Sequence, residues 1–364
     1  VRRHMPLSPD ENIVYANSAN ALFGLDTHTG RMLWHFECDD CGTAPSPVLS
    51  HDGATLFFGT STKELRPAIF ALDALNGTEL WRAEFEDAHT VCFLPILSHD
   101  GNTLYIAGQS FDGGIFAMSA HTGEVHWQFT NNGIGRARAY PAESKDGRLV
   151  FARWNFRDER RDELIALDAA SGHVLWNFAD ADSAFTQAFA PVVTPDGKQV
   201  LCWSKYETIY GLDAETGELK WSINPGFRVW SVDFSPDGET LYFGDSNGGV
   251  VHAIDYRSHK QKWAFRTVWS TWSYVRHFLG LTATGSMDVS TDGKILFVGN
   301  SRGYVFAIHT ENGKLEWFHD LPFTVRAMVA AHHRDNRLMY VRSGGKVYAI
   351  TEEADHWVEH SELR

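Results

Sequence analysis

The sequence predicts an all-β protein, an eight-bladed β-propeller of four-stranded antiparallel blades spanning residues 1–364 as one domain. Three observations predict it. A tryptophan-bearing phrase recurs in one phase along the chain, Asp-Gly pairs recur with the same period, and each period has room for four short strands.

The phrase is an apolar run, an Asp, three residues, a Gly, three residues and a Trp. It reads Leu25-Asp26…Gly30…Trp34, then Leu72-Asp73…Gly77…Trp81, and Ser119…Gly123…Trp127. It continues as Asp168…Gly172…Trp176, Asp213…Gly217…Trp221, Asp255…His259…Trp263 and His309…Gly313…Trp317. Successive tryptophans lie 47, 46, 49, 45, 42 and 54 residues apart. The apolar part is a short strand, and Asp-x-x-x-Gly is turn chemistry, an Asp that caps its own loop and a Gly free to take positive φ. The Trp is expected to begin the next strand and to dock its ring in the wedge between neighbouring sheets.

Asp-Gly pairs at 52–53, 100–101, 146–147, 196–197, 237–238 and 292–293 each precede a β-rich run such as Thr103–Ala107 or Thr240–Gly244. Asp-Gly between alternating apolar runs is a strong hairpin signal. Blade 5 then reads Ala188–Thr194, Gln199–Ser204, Thr208–Asp213 and Leu219–Ile223, from inner to outer strand. An eighth unit reads Val325–Ala331, Leu338–Arg342, Lys346–Thr351 and His356–His360, without the Gly or the in-phase Trp. The first unit is short as well, its inner strand limited to about His4–Ser8, so the count is eight with seven as the alternative.

The segment Leu167–Trp176, and nearly so Leu212–Trp221, has the form Leu-Asp-Ala-x-(Thr/Ser)-Gly-x-x-Leu-Trp. This resembles the pyrroloquinoline-quinone (PQQ)-like repeat, and the resemblance covers essentially the whole chain. It implies a quinoprotein-type propeller. Functions in that family run from PQQ-dependent dehydrogenases to BamB-like accessory propellers and sensor domains that bind no cofactor.

Composition narrows the field. The formal charge of −14 disfavours a non-specific nucleic-acid binder. No stretch approaches the roughly 18–20 apolar residues of a transmembrane helix. The chain starts at Val1 without a recognisable signal peptide, and the reading leaves room for a larger precursor. Four cysteines are too few for a disulfide framework, and Cys38-Asp-Asp-Cys41 reads as a loop with two thiols rather than as half of a metal site. Cys92 and Cys202 lie in strand-like runs and read as buried thiols. The compartment leans extracytoplasmic by resemblance.

Candidate functional residues fall on one end of the blades. In an up-and-down propeller the outer-to-inner links and the links between the two middle strands share that end. The long connections Ser61–Pro67, Trp154–Glu163 and Arg266–Gly285 all fall there, the last carrying Trp269, Trp272, Arg276 and His277. Arg136, Arg138, Arg228, Arg276 and Arg326, with His89, stand at the starts of inner strands. Such a rim could focus positive potential on a carboxylate-rich ligand, or pair with acids such as Asp233 and Asp288.

The sequence carries no complete catalytic set, no adjacent cysteines, no haem attachment motif and no nucleophile elbow. The histidines are scattered, and His332-His333 reads as a surface turn. The balance favours a non-catalytic binding or scaffold propeller that engages a protein or peptide through its long-loop face, with no cofactor and no metal. The alternative is a small PQQ-dependent oxidoreductase, with Ca²⁺, or a binder of an anionic small ligand in the arginine-rimmed funnel.

Overall fold

The repeat dictates the architecture, because each phrase closes one sheet and begins the approach to the next. The computed structural model describes residues 5–18, 21–37, 46–60, 68–85, 95–108, 114–130, 136–137, 140–156, 162–179, 190–204, 207–245, 249–267, 284–290, 292–330, 339–343, 346–350 and 358–362. They form eight antiparallel sheets, each made of strands consecutive in sequence, and the fold is the eight-bladed β-propeller. The eighth unit is a complete sheet, with strands Val325–Ala330, Met339–Ser343, Lys346–Ile350 and Val358–Glu362, so eight replaces the alternative of seven. The first sheet has three strands, Ile13–Ser18, Ala21–Asp26 and Met32–Glu37. The inner strand expected near His4–Ser8 is instead a single bridge, Leu7 to Val14.

The chain divides into two compact units. One holds residues 15–25 and 32–222, and the other holds 2–14, 26–31 and 223–364. Within the second, the amino-terminal residues 2–14 thus belong with the last three blades.

Trp34, Trp81, Trp127, Trp176 and Trp263 dock as the repeat requires, and the seven in-phase tryptophans carry one correction. Each is the third residue of its outer strand rather than the first, in Met32–Glu37, Glu79–Glu84, Val125–Phe129, Val174–Phe178, Leu219–Ile223, Gln261–Arg266 and Leu315–Asp320. The reason is a β-bulge. Leu25 pairs with Met32 but Gly24 pairs with Trp34, which leaves Leu33 unpaired, and the same step skips Leu80, His126, Leu175, Lys262 and Glu316. A bulge re-aims the next side chain. Here it turns the Trp towards the following blade and leaves Leu33, Leu80 and Leu175 51%, 53% and 54% exposed.

The acceptor is the next turn. Indole Nε1 donates to the carbonyl after the turn-opening residue: Trp34 to Ala74 (3.1 Å), Trp81 to Ala120 (3.2 Å), Trp127 to Ala169 (2.9 Å), Trp176 to Ala214 (3.2 Å) and Trp263 to Thr310 (2.8 Å). The ring then lies on the glycine of that turn. A Cβ on Gly77 would stand 2.4 Å from the Trp34 ring, and one on Gly217 2.6 Å from Trp176, while both glycines also need φ above +70°. Across the hairpin each Trp faces a small residue, for example Ala71, Ala117, Ala166 or Gly24. A second aromatic layer lies behind: Phe36 on Phe70 (5.5 Å), Phe85 on Phe116 (5.0 Å), Phe178 on Tyr210 (5.5 Å) and Phe265 on Phe306 (5.6 Å).

The inner hairpins close on a second repeated turn, Ser/Thr-x-Asp-Gly. The hydroxyl two residues before the Asp donates to its carboxylate, from Ser50, Ser98, Ser144, Thr194, Ser235 and Ser290, at 2.5–2.7 Å. The same hydroxyl accepts the amide five residues on, as Thr55 to Ser50 (2.8 Å) and Leu149 to Ser144 (2.9 Å). These bonds hold the carboxyls of Asp52, Asp100, Asp146 and Asp237 below the usual range, Asp146 at about 2 with Arg148 as a second cause.

Two outcomes are expected. Trp263, 7% exposed, should cost about 3–5 kcal/mol on replacement by Ala, and half-buried Trp176 the lower end of that range, read by urea unfolding. For the aspartates the folded pKa lies below the unfolded value of about 3.9, so their contribution is present above that pH and is lost on acidification. The melting temperature should therefore fall steeply between about pH 4 and pH 2, and less steeply when Ser144 is replaced by Ala.

Candidate functional site

Three inner strands share a feature at their long-loop end. Val229 pairs with Asp245 and Ser231 with Gly244, which leaves Trp230 as a bulge; Gly285 and Arg326 are skipped in the same way in Thr284–Val289 and Val325–Ala330. The start of each strand is thus bent away from a regular ladder. Arg228, half-buried, immediately precedes Val229; Arg326 is the bulged residue itself; Arg136 opens the two-residue strand Arg136–Ala137 and pairs with Asn155. Arg138, Arg276, Trp269, Trp272, His277, His89, Cys38, Cys41, Cys92 and His332-His333 lie outside the described residues.

Beside Arg228 lies a stack of three rings. His252 is 4.3 Å from Phe227 and 5.4 Å from Phe243, both nearly parallel to it, and its Nδ1 is 3.3 Å from Gln261 Oε1. Burial lowers the imidazole pKa and favours the neutral ring. The stack pins the link Asn224–Arg228, where Asn224 Oδ1 also accepts the Gly226 amide at 2.8 Å.

The next two links are tied by bonds to the backbone. Asn300 is fully buried and its Oδ1 accepts the amides of Arg302 and Tyr304, both at 3.0 Å, folding a tight connection. Gly303 in it has φ +97°, and a Cβ there would stand 2.1 Å from the Leu321 carbonyl oxygen. Leu321 N–H donates to the Gly303 carbonyl (3.0 Å), the Thr324 hydroxyl to that of Ser301 (2.7 Å) and the Ser343 hydroxyl to that of Phe323 (2.5 Å). This rigid corner leaves Phe318 and Phe323 51% and 56% exposed, with half-buried Tyr304 6.5 Å from Phe318.

Blade 4 holds charges that sequence reasoning missed. Its middle strands, Leu149–Asn155 and Asp162–Asp168, run seven residues each. Arg153 and Asp162 form an ion pair at 3.2 Å with side chains 2% and 3% exposed, and the Asn155 amide also donates to Asp162. On the opposite face of the sheet Glu163, 3% exposed, accepts from Asn177 at 2.7 Å. One signal was present: Arg153 interrupts the apolar run Leu149–Trp154, where a charge needs a buried partner.

The acids named for metal or arginine pairing each accept the amide of the next residue. Asp233 Oδ1 accepts the amide of Phe234 (2.9 Å) and Asp288 Oδ1 that of Val289 (3.0 Å), and Asp288 is 1% exposed. Among the described residues no group of three or more His, Cys, Asp or Glu side chains is arranged to hold a metal ion. Cys202 is a buried thiol. No helix among them is long and apolar enough to cross a membrane.

Fold and repeat define a quinoprotein-like propeller of PQQ-like repeats. The family model described as outer membrane protein assembly factor BamB matches residues 3–91, 66–183, 111–267 and 266–358, and the chain belongs to that family. It is similar to the outer membrane protein assembly factor BamB of Burkholderia pseudomallei, 23% identical over 85% of this chain and 74% of that one. It is equally similar to a polyvinylalcohol dehydrogenase of a Pseudomonas species, 23% identical over 93% of this chain and 65% of the enzyme. The chain spans 42% of the quinohemoprotein alcohol dehydrogenase ADH IIB of Pseudomonas putida. Among solved structures, BamB from Moraxella catarrhalis superposes with a TM-score of 0.67 at 16% identity, covering 98% of this chain and 97% of that one. The quinohemoprotein alcohol dehydrogenase from Comamonas testosteroni gives 0.69 at 14%, covering 96% and 71%. At these identities the two structures speak for the fold alone.

The buried pair yields a test. Arg153→Met should cost about 3–5 kcal/mol in chemical denaturation, because it strands Asp162 without its cation. Combining it with Asp162→Leu should restore much of the loss, since the two are coupled.

Proposed function

We propose that this propeller is a binding scaffold that engages a protein or peptide partner through the long-loop ends of its blades. The observation that carries this reading is the asymmetry between the two ends. The turn end repeats the same two self-satisfied turns blade after blade, whereas the connections at the long-loop end differ in sequence and length, and a rigid corner there presents Phe318 and Phe323. Exposed aromatics on a fixed frame are what a partner surface uses as anchors. The relative whose name places it in outer-membrane assembly supports the reading. With it goes an extracytoplasmic setting, and a single propeller domain that can stand within a larger precursor.

The dehydrogenase relatives favour a second reading, a PQQ-dependent oxidoreductase with Ca²⁺ or an anion binder at Arg136, Arg228 and Arg326. Asp233 and Asp288 each accept the amide next to them, and among the described residues no group of three His, Cys, Asp or Glu side chains is arranged to hold a metal ion. No reaction step is derived from them.

Two measurements separate the readings. Titration calorimetry with PQQ, with and without Ca²⁺, should give no heat; tight calcium-dependent binding would establish the second reading. A photo-crosslinking residue at Phe323 or Trp272 should trap a protein partner, one at Asn102 on the turn end should not, and Trp269→Ala with Trp272→Ala should abolish the adduct.

A further inference from the structure

We propose that Asn76, on the turn end of blade 2, is an N-glycosylation site. The chain contains one Asn-x-Ser/Thr tripeptide, Asn76-Gly77-Thr78. It falls on the Asp-x-x-x-Gly turn that receives Trp34, and the geometry of that turn presents it outward. Gly77 is buried against the indole ring, while Asn76 and Thr78 are exposed. Asn76 Oδ1 accepts the Thr78 amide at 2.9 Å, which folds the carboxamide back over the residue carrying the hydroxyl. Its own backbone amide is held by Asp73 at 3.0 Å.

The repeat supplies an internal comparison. Asn312-Gly313-Lys314 makes the same cap, Lys314 N–H to Asn312 Oδ1 at 2.9 Å, but has no hydroxyl two residues on. The turn alone therefore asks only for a capping side chain, and what singles out blade 2 is Thr78. A second observation sits next to it. Leu75 is 74% exposed, the most exposed large hydrophobic side chain among the described residues, at a position occupied in the other copies by His28, His121, Ala170, Glu215, Arg257 and Glu311. Leu80, 53% exposed, lies on the strand that follows. The apolar face of a sugar attached at Asn76 would cover such side chains.

The donor is a lipid-diphosphate-linked oligosaccharide. The Asn76 carboxamide nitrogen attacks the anomeric carbon, a nitrogen–carbon bond forms, and the carbon–oxygen bond to the diphosphate breaks. The lipid diphosphate leaves with the electron pair, and the nitrogen gives up one proton to a base of the transferase. No oxidant or reductant is needed. The glycan would stand on the turn end and leave the long-loop end free.

This inference rests on the extracytoplasmic reading, and the test keeps the two apart. The full chain is isolated from its own organism, its compartment is assigned by fractionation and protease protection, and the tryptic peptide ending at Arg82 is weighed before and after peptide N-glycosidase. The expected result is a glycan-bearing peptide whose Asn76 becomes Asp on release, in protein from the secretory route. Thr78→Ala should remove the glycan while keeping the cap, since the cap uses the backbone amide. Bare Asn76 in secreted or lumenal protein overturns the site and leaves the compartment standing. Protein confined to the cytosol overturns both.

Discussion

The structure depends on one interaction repeated from blade to blade, an indole laid on a glycine with its N–H on the neighbouring carbonyl. Strands in a propeller blade splay towards the periphery, and a flat ring is the side chain that fills a wedge. The ring can do so only if the opposing turn offers no Cβ, which is why glycine and tryptophan occur together in the phrase. Each copy also contributes a hydrogen bond that satisfies a buried indole N–H. Neighbouring sheets are thereby fixed in spacing by backbone and ring rather than by interchangeable aliphatic packing.

Blade 5 varies the surroundings of its ring. Leu201 replaces the aromatic that elsewhere lies about 6 Å from the Trp ring, as Tyr105 does for Trp127 and Phe151 for Trp176. The repeat that follows carries Tyr256 and His259 where the others have a small residue and glycine; His259 holds the glycine-like φ of +56° with a Cβ in place. Within its own blade Trp221 Nε1 donates to Gln199 Oε1 at 2.8 Å, and its ring lies on Gly211, as the ring of Trp34 lies on Gly24. A small residue across the hairpin is thus as much a part of the phrase as the glycine of the next turn.

The sheets were legible because their signals are local. Asp-Gly and Asp-x-x-x-Gly are turn chemistry that a few residues decide, and the period of the tryptophans supplies the rest. What escaped was decided by pairing. The bulge before six of the seven tryptophans follows from the register of a hairpin and has no residue signature: Leu33, His126 and Lys262 are chemically unrelated. The serine of Ser-x-Asp-Gly was in view but silent until its hydroxyl was seen bridging carboxylate and amide. The candidate site was less legible, because loops carry no period. Arg228 was placed at a strand start correctly, yet the stack of Phe227, His252 and Phe243 that holds its link joins residues from three segments.

The two ends of the blades also differ in how they spend polar groups. At the turn end the carboxylates are exposed and stabilised by neighbours two or three residues away, so any blade can be exchanged for another without changing the chemistry. At the long-loop end blade 4 buries Arg153, Asp162 and Glu163 almost completely. Buried ion pairs of this kind are often no more stabilising than apolar side chains of the same volume, so stability alone does not account for them. They do fix geometry, since a guanidinium and a carboxylate so deeply buried cannot part without stranding a charge. In a fold whose turn end is uniform, such a clamp gives one blade a distinct and rigid support for the connection above it. That is the property a scaffold needs where a partner must recognise one blade among eight.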